Sequence, residues 1–247
     1  MLSWGAMQIW IQRSFAPLKK WLPTPLSATI RAFVTAAIGP AWNARRWGHT
    51  RSSFASKAVS KEGAPLPWYT YPCIHFLAAQ SFAGMRVLEF GAGQSTLWWA
   101  ARASSVVAFE ADLSWLRRIE EKAPSNVILH ALDDRSPEQC RAQVQEIVDP
   151  ILGDGFDLVI VDGSHRNEIA KLGTGLLAPN GALICDNAEG FGIFDALRSS
   201  GLMRVDFYGM APGIILSHCT SIFFRPSCPL FGNCRPIPSE WALSDIL

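Results

Sequence analysis

The strongest constraint on the fold is a regular alternation of apolar runs with helical stretches, which begins near residue 85 and continues to residue 186. The apolar runs have the length of buried strands and are bounded by turn residues, whereas the stretches between them have the spacing of amphipathic helices. Such an alternation predicts a doubly wound α/β domain whose sheet is mainly parallel. The predicted strands cover 85–90, 105–110, 126–131, 156–162 and 181–186, and the predicted helices cover 95–103, 114–122, 137–148 and 167–177.

Two further β-like runs, 203–208 and 220–225, follow a short helix near 194–199 and are joined by a loop that contains Gly and Pro. We expect these runs to close the sheet as a hairpin, which brings it to seven strands. A chain of 247 residues is long enough for one such domain with an extension. The predicted organisation is therefore a helical extension at 1–64, an α/β domain at 65–225 and a Pro-rich tail at 226–247.

The extension is basic and rich in tryptophan. Residues 1–61 contain nine of the 22 Lys and Arg residues and none of the 21 acidic residues, and apolar side chains interleave with these bases over residues 1–47. This pattern is typical of an in-plane helix on an anionic membrane surface, but a helical cap packed on the domain has the same composition. Both interpretations stay open here. A nucleic-acid-binding arm is the least favoured of the three, and no nucleic acid is expected as a partner.

Cysteine usage and hydropathy bear on the compartment. The six cysteines are scattered without a C-x-x-C pair or histidines at zinc spacing, and no secretory leader is recognised. No apolar run reaches the roughly 18 residues that a membrane span requires. We therefore expect a reduced, cytoplasmic compartment, with the extension able to hold the protein on the inner face of a membrane.

A glycine-containing loop follows the first predicted strand. The sequence VLEFGAGQST, at 87–96, runs from a buried strand through a tight turn into a helix, at the sheet edge where open α/β folds bind cofactors. Glu110 ends the second strand, at the spacing from Gly91 where an acid accepts hydrogen bonds from ribose hydroxyls. Thr96 stands where a dinucleotide fingerprint has its third glycine, which disfavours a cofactor that contains a pyrophosphate.

With these motifs the chain resembles the class I S-adenosylmethionine-dependent methyltransferases, over residues 49–225. The segments PLPWYTYPCIHFL and VDFYGMAP look like those of bacterial methyltransferase-like proteins whose substrates are generally unassigned. The resemblance implies a Rossmann-like methyltransferase fold that binds S-adenosylmethionine. It also implies that the methionine part of the cofactor lies on Glu89, Gly91, Ala92, Gly93, Gln94 and Ser95, the ribose on Glu110, and the adenine on Asp133 or Asp134.

Carboxylate and amide side chains follow the fourth and fifth predicted strands. Asp162 ends the fourth strand and Asp186 with Asn187 ends the fifth, so that parallel strands bring three hard oxygen donors to one sheet edge. This arrangement resembles that of the metal-dependent catechol-type O-methyltransferases, which implies a Mg²⁺ site at Asp162, Asp186 and Asn187. The alternative is that Asp162 contacts the cofactor amino group while Asp186 and Asn187 cap a loop.

Where those enzymes place a lysine base after the fourth strand, this chain has His165. A loop histidine can take a proton from a hydroxyl at neutral pH, so His165 and Asp162 are the predicted catalytic residues. Upstream, Trp68, Tyr69 and Tyr71 form an aromatic segment between prolines. We expect this segment to wall the substrate pocket, to cover the cofactor, or to pack in the core.

Together these features predict methyl transfer from S-adenosylmethionine to an oxygen of a small-molecule, glycan or lipid-type acceptor. Two other classes stay open. One is a nicotinamide-dependent oxidoreductase on a Rossmann fold, and the other is a non-catalytic membrane-surface binding module that kept the fold. Measuring whether the chain binds adenosylmethionine or NAD distinguishes a methyltransferase from the oxidoreductase. Measuring whether adenosylhomocysteine forms distinguishes a methyltransferase from the non-catalytic module.

Overall fold

The computed structural model describes residues 23–231, which divide into two compact units. The smaller unit, at 23–47, is helical and confirms the predicted helical N-terminal region. Residues 1–22 lie outside the described residues, as does the tail beyond residue 231. No helix in the part of the chain that is described is long and apolar enough to cross a bilayer. The elements of the smaller unit are α1 (Thr24–Phe33), a π-helical stretch (Val34–Ile38) and α2 (Gly39–Arg46).

The larger unit begins at Gly48 and is built on a seven-stranded sheet. Its strands are β1 (Arg86–Phe90), β2 (Ser105–Glu110), β3 (Val127–Ala131), β4 (Phe156–Val161), β5 (Leu177–Cys185), β6 (Met203–Ala211) and β7 (Ile214–Phe224). They lie in the order β3-β2-β1-β4-β5-β7-β6, in which the first five are parallel and β7 is antiparallel to both β5 and β6. The predicted mainly parallel sheet is confirmed.

Helices precede and connect the strands of this unit. Asp112 caps one of them by accepting the backbone N–H groups of Ser114 and Trp115, and Ser136 caps another with Pro137 in its first turn. The helices are α3 (His49–Ala55), α4 (Tyr71–Ala78), α5 (Gln94–Ala100), α6 (Leu113–Glu120), α7 (Pro137–Val148), α8 (Arg166–Leu176) and α9 (Ile193–Ala196).

Both faces of the central strands are buried, which explains why these strands read as continuous apolar runs in the sequence. Phe90 and Val161 belong to a core cluster on one face, which includes residues of α7 and α8. Val87 and Ile160, which alternate with them along the strands and point to the opposite face, are also fully buried. The carboxyl ends of the parallel strands are therefore held rigidly along one edge.

The C-terminal hairpin is longer than the sequence predicted. β6 and β7 continue to a tight turn at Pro212 and Gly213, so residues 209–219 are mostly strand where a loop was expected. A loop was expected because this segment contains Gly and Pro, although the run Ile214–Leu216 favours a strand. β7 pairs with β5 only at residues 221–224, so its first seven residues extend past the carboxyl end of β5.

The segment before the sheet packs on this hairpin. Trp68 Nε1 donates to the carbonyl oxygen of Pro212 at 3.1 Å, and Thr70 Oγ1 donates to that of Phe207 at 2.9 Å. Tyr69 and Tyr71 are buried. The compact unit thus starts at Gly48, upstream of the predicted domain boundary at 64/65, which remains a prediction.

Candidate active site

A cleft of about 460 Å³ opens at the carboxyl ends of the parallel strands. Its volume falls within the range of small-molecule sites, roughly 300–1,000 Å³. The loops after β1, β2, β4 and β5 surround it, and the start of β7 forms one rim. It is lined by Trp68, Gly91, Ala92, Gly93, Gln94, Ser95, Glu110, Trp115, Asp162, Arg166, Asp186, Asn187, Ile214, Leu216, Ser217 and His218.

The loop after β1 lies directly against the loop after β4. Gly91 has a φ of +96°, and a Cβ atom at this position would lie 2.7 Å from the carbonyl carbon of Asp162, so only glycine fits. The backbone N–H of Gly93 donates to Thr96 Oγ1 at 2.8 Å, and this hydroxyl donates to Glu89 Oε2 at 2.5 Å. The loop is thus fixed from below and presents backbone to the cleft.

Glu89 lies beneath the loop rather than in the cleft lining that the resemblance implied. Its side chain is fully buried, and burial raises its pKa to about 7, although hydrogen bonds from Ser95 and Thr96 act in the opposite direction. Glu89 therefore supports the loop through the Thr96 hydroxyl. The other predicted loop residues, Gly91 to Ser95, all line the cleft.

Glu110 lines the cleft at the end of β2, as the sequence predicted. Burial raises the pKa of its carboxyl group, while a backbone hydrogen bond from Asp112 lowers it. Glu110 Oε1 accepts the Asp112 N–H at 2.8 Å. A carboxylate offers about four lone-pair sites, so this one keeps acceptor capacity for a ligand. Beside it, Trp115 donates from Nε1 to the carbonyl oxygen of Ala92 at 2.7 Å and fixes an aromatic wall that the sequence analysis missed.

Asp133 and Asp134 follow β3 but do not line the cleft. Asp133 accepts hydrogen bonds from the Arg135 guanidinium, which lower the pKa of the aspartate to about 2. Asp134 Oδ2 accepts the Ser164 hydroxyl at 2.7 Å. Both carboxylates therefore already have protein partners, and of the two only Asp134 is near enough to Glu110 for its charge to raise the pKa of Glu110.

His165 is not positioned as the predicted base. It stands in the left-handed region with a φ of 49° immediately before α8, and it does not line the cleft. Its Nε2 lies 2.7 Å from the backbone carbonyl oxygen of Asp134. Because a carbonyl oxygen can only accept, Nε2 carries the proton and donates it to this bond. His165 thus ties the loop after β4 to the loop after β3.

Arg166 occupies the centre of the predicted metal site. A guanidinium has five N–H donors, and here it makes four hydrogen bonds and one ion pair. Nε donates to the carbonyl oxygen of Gly163 at 3.1 Å, and Nη1 donates to the carbonyl oxygen of Asp186 at 2.7 Å and to Asn187 Oδ1 at 2.9 Å. Nη2 contacts the carbonyl oxygen of Asp162 at 3.0 Å and its Oδ1 at 2.8 Å. The arginine therefore joins the ends of β4 and β5.

These contacts occupy several of the oxygens of the predicted Mg²⁺ site, which stays a prediction. The oxygens of Asp162 and Asn187 that would bind a cation already bind the guanidinium, and Asp186 Oδ1 accepts the Thr220 hydroxyl at 2.6 Å. Within residues 23–231, no group of three or more His, Cys, Asp or Glu side chains could hold a metal ion. Burial and the charge of Asp186 raise the pKa of Asp162 to about 8, although Arg166 opposes this shift.

His218, on the part of β7 that was expected to be a loop, stands beside Asp186. Its Nε2 lies 3.3 Å from Asp186 Oδ1, close enough for an ion pair but not aligned as a hydrogen bond. Burial lowers the pKa of His218, but the acidic groups around it, Asp186 first and then Glu189 and Asp162, together raise the pKa above its ordinary value. This pair lies at the cleft wall, and the sequence analysis, which assigned the base to His165, did not identify it.

Comparisons with known proteins find structures of low sequence identity. No protein-family model and no curated protein matches the sequence significantly. Solved structures do match: precorrin-6y C5,15-methyltransferase from Geobacter metallireducens GS-15 is 14% identical, with 70% of this chain and 96% of that chain covered and a TM-score of 0.48. The N-methyltransferase NodS from Bradyrhizobium japonicum WM9, in complex with S-adenosyl-L-homocysteine, is 16% identical, with 62% and 82% covered and a TM-score of 0.42.

Cofactor-bound Rv0187 from MTB is 19% identical, with 82% of this chain and 98% of that chain covered and a TM-score of 0.45. Likenesses at this level concern the fold alone. The seven-stranded mixed sheet with flanking helices is the Rossmann-like methyltransferase fold that the sequence predicted. The ligand and the reaction of this chain depend on the residues of its own cleft.

Proposed function

We propose that the protein transfers a methyl group from S-adenosylmethionine to an acceptor hydroxyl, with His218 as the general base and without a metal ion. One observation carries this proposal. A single cleft contains the glycine loop and the carboxylate of Glu110 at one end and the pair of His218 with Asp186 at the other. A cofactor-binding half and a proton-accepting half are thus combined in one small-molecule site.

The residues at the cofactor end fit adenosylmethionine better than a dinucleotide. Glu110 keeps lone pairs for ribose hydroxyls, and Gly91 and Gly93 leave the backbone accessible. Thr96 is bonded to both Glu89 and Gly93, so its hydroxyl stands beneath the loop at the position where a pyrophosphate-binding loop needs glycine. When bound, adenosylmethionine supplies a methyl group on a sulfonium, which an acceptor oxygen takes by in-line displacement to leave adenosylhomocysteine.

The chain's own residues then have to position the acceptor and take its proton. His218 Nε2 faces Asp186, which leaves Nδ1 as the nitrogen that accepts the proton of the attacking hydroxyl. The carboxylate of Asp186 stabilises the imidazolium that forms and is itself held by Thr220. Arg166 contributes by fixing the two loop ends through four hydrogen bonds and an ion pair, and we assign it as a positioning residue.

The oxygen acceptor belongs to the small-molecule, glycan or lipid-type class, because the cleft holds a ligand of modest size and offers a base suited to a hydroxyl. If the imidazole of His218 is adjacent to the acceptor hydroxyl, it can take the hydroxyl proton during methyl transfer, and no metal ion is needed to activate the hydroxyl. The guanidinium of Arg166 supplies the positive charge between the acidic loop ends that a cation would otherwise supply.

Calorimetric titration tests the cofactor half. The full chain should bind adenosylmethionine and adenosylhomocysteine and should not bind NAD. Glu110→Ala should weaken the binding of adenosylmethionine by about 1.5–3 kcal/mol, or roughly 10- to 150-fold in Kd, because it removes charge-assisted hydrogen bonds to the ribose. Glu120→Ala, at an exposed position of α6, is the matched control. An unchanged affinity in folded Glu110→Ala protein contradicts the ribose assignment, and tight binding of NAD alone contradicts the proposal.

Transfer of a labelled methyl group tests the catalytic half. Lipid and metabolite extracts serve as acceptor mixtures with methyl-labelled adenosylmethionine, and the label and adenosylhomocysteine are followed together. His218→Asn should abolish the transfer while cofactor affinity stays the same, whereas His165→Asn should retain it if the fold is intact. Cofactor binding without product from any mixture would instead indicate a non-catalytic binding module.

A further inference from the structure

The start of β7 carries an apolar rim made of Ile215 and Leu216. In the hairpin, Gly209 pairs with His218 and Ala211 pairs with Ile214, so four steps along β7 match two steps along β6. The two extra residues form a bulge, a feature that re-aims side chains and is frequent beside active sites. Ile215 and Leu216 are 78% and 77% exposed, an unusual position for two adjacent large aliphatic side chains.

This rim is continuous with the cleft. Leu216 lines the cleft together with His218, and His218, two residues further along the strand, is only 9% exposed. Two residues of a strand advance about 7 Å. A molecule whose hydroxyl reaches His218 therefore has aliphatic surface immediately outside the site, at the side from which it enters.

Helix α3 supports the rim from the other side and adds positive charge. The turn residue Gly213 is packed so closely on α3 that a Cβ atom there would lie 3.0 Å from the backbone of Ser52, and its N–H donates to His49 Nδ1 at 3.3 Å. On this helix and just after it, Arg51 and Lys57 are exposed and Phe54 is 89% exposed. Residues 48–61 contain no acidic side chain.

We infer that the bulged tip of the hairpin and helix α3 dock on an anionic lipid surface, and that the acceptor hydroxyl reaches the cleft from that surface. Exposed aliphatic and aromatic side chains next to positively charged side chains, without acidic ones among them, are the combination that binds an anionic membrane interface. The identification of a lipid-borne acceptor rests on the proposed methyl transfer, whereas the docking itself does not. This surface is distinct from the basic segment at 1–47, which the sequence alone pointed to.

Co-sedimentation with vesicles tests the docking. The full chain should sediment with phosphatidylglycerol vesicles and remain in the supernatant with phosphatidylcholine vesicles, and added salt should release it because exposed charges are screened over about 8 Å at physiological ionic strength. Replacing both Ile215 and Leu216 by Ser should lower the bound fraction at least fivefold. The matched control replaces Leu113 and Ile128 by Ser, which are 56% and 55% exposed and lie on α6 and β3.

A charge variant provides an independent test that leaves the hairpin unchanged. Lys57→Glu should lower the bound fraction, whereas Lys122→Glu, at an exposed position after α6, should not. The inference is overturned if the full chain ignores phosphatidylglycerol, or if the Ile215/Leu216 double variant and Lys57→Glu bind as well as their controls. In the latter case residues 1–47 alone would account for the attraction.

Titration of every variant with adenosylmethionine separates this inference from the proposed function. Lys57→Glu, at a position outside the cleft lining, should keep the affinity of the unmodified chain for the cofactor. Loss of vesicle binding with cofactor binding intact supports the rim. If the chain binds the cofactor but no vesicles, only the inference about the rim is overturned. If the chain binds vesicles but not adenosylmethionine, only the methyl-transfer proposal is overturned.

Discussion

Replacing Arg166 by Met gives a quantitative test of how the loop ends of β4 and β5 are held. The variant retains a long apolar side chain but loses four hydrogen bonds and the ion pair with Asp162. The two side chains of this pair are only 13% and 18% exposed, so their interaction is not that of a solvated surface pair. Met leaves a carboxylate without its counter-charge in a poorly solvated site.

The magnitude follows from the burial of the pair. At pH 9, above the pKa of about 8 that Asp162 has in the folded protein, removing one partner of a buried ion pair costs about 3–5 kcal/mol, because the remaining charge has lost its compensation. For a domain of this size, 1 kcal/mol moves the melting temperature by about 2–4 °C, which gives an expected decrease of roughly 6–20 °C. Arg166→Lys should lose less stability than Arg166→Met, since an ammonium keeps the positive charge. It should still lose some, because an ammonium has three donors in place of five.

The loss should also depend on pH. The pKa of Asp162 is raised to about 8 in the folded protein, and removing Arg166, which opposes that shift, raises it further. A carboxyl group that holds a proton in the folded state and ionises on unfolding near pH 4 favours the folded state at low pH. This contribution is lost as the pH rises through the folded-state pKa. The variant's deficit relative to the unmodified chain should therefore be larger at pH 9 than at pH 7.

Urea unfolding at both pH values measures the deficit. Arg141→Met is the matched control, because Arg141 forms an exposed pair with Glu168 at 3.4 Å, and such pairs contribute about 0–1 kcal/mol. A deficit for Arg166→Met no larger than that of the control would refute the reasoning. So would stabilisation of the unmodified chain by millimolar Mg²⁺, since it would mean that the donor oxygens are available to a cation despite the guanidinium.

Three other results are expected. Methyl transfer should rise with pH through a value above about 6.5, because neutral His218 is the base and Asp186 raises its pKa, and Asp186→Asn should move this inflection downward in a pH–rate profile. Chelation by EDTA should leave turnover unchanged; loss of activity that Mg²⁺ restores would contradict the assigned role of Arg166. Glu89→Gln should gain up to about 3 kcal/mol of unfolding free energy at pH 8 but not at pH 5, because burial raises the pKa of Glu89 to about 7.

The order of strands and helices could be predicted because both faces of the central strands are covered. That burial forces continuous apolar runs whose length and flanking turns are visible in the sequence. Gly91 could be recognised for a related reason, since its close approach to Asp162 excludes every other residue type. Glu110 was found because a strand end and a short spacing from the glycine loop determine its place.

The proposed acid–base pair could not be predicted, because it depends on pairing between distant strands. Asp186 and His218 are separated by 32 positions and meet only because β7 runs antiparallel past the end of β5. The interpretation of residues 209–219 as a loop removed His218 from consideration. The run of Ile214, Ile215 and Leu216 was the available signal, since three large aliphatic residues rarely form a loop.

Arg166 was missed for a different reason. Its neighbours Asp162, Asp186 and Asn187 carry the residue types of a metal site, and a sequence cannot tell whether their oxygens face a cation from solution or a cation of the chain itself. An arginine at the first position of α8, four residues after an aspartate, is the signal that could have raised the second possibility.

The contact between Gly91 and the loop after β4 also sets a distance that matters for chemistry. A Cβ atom at Gly163 would lie 3.0 Å from the Gly91 nitrogen, so backbone touches backbone from both sides. In the proposed reaction the first loop holds the methyl donor and the second leads to the acceptor, so their contact keeps the two loops at a constant distance. Since a displacement of about 1 Å can slow an in-line transfer roughly 100-fold, this constant distance links reaction rate to a contact that touches neither substrate.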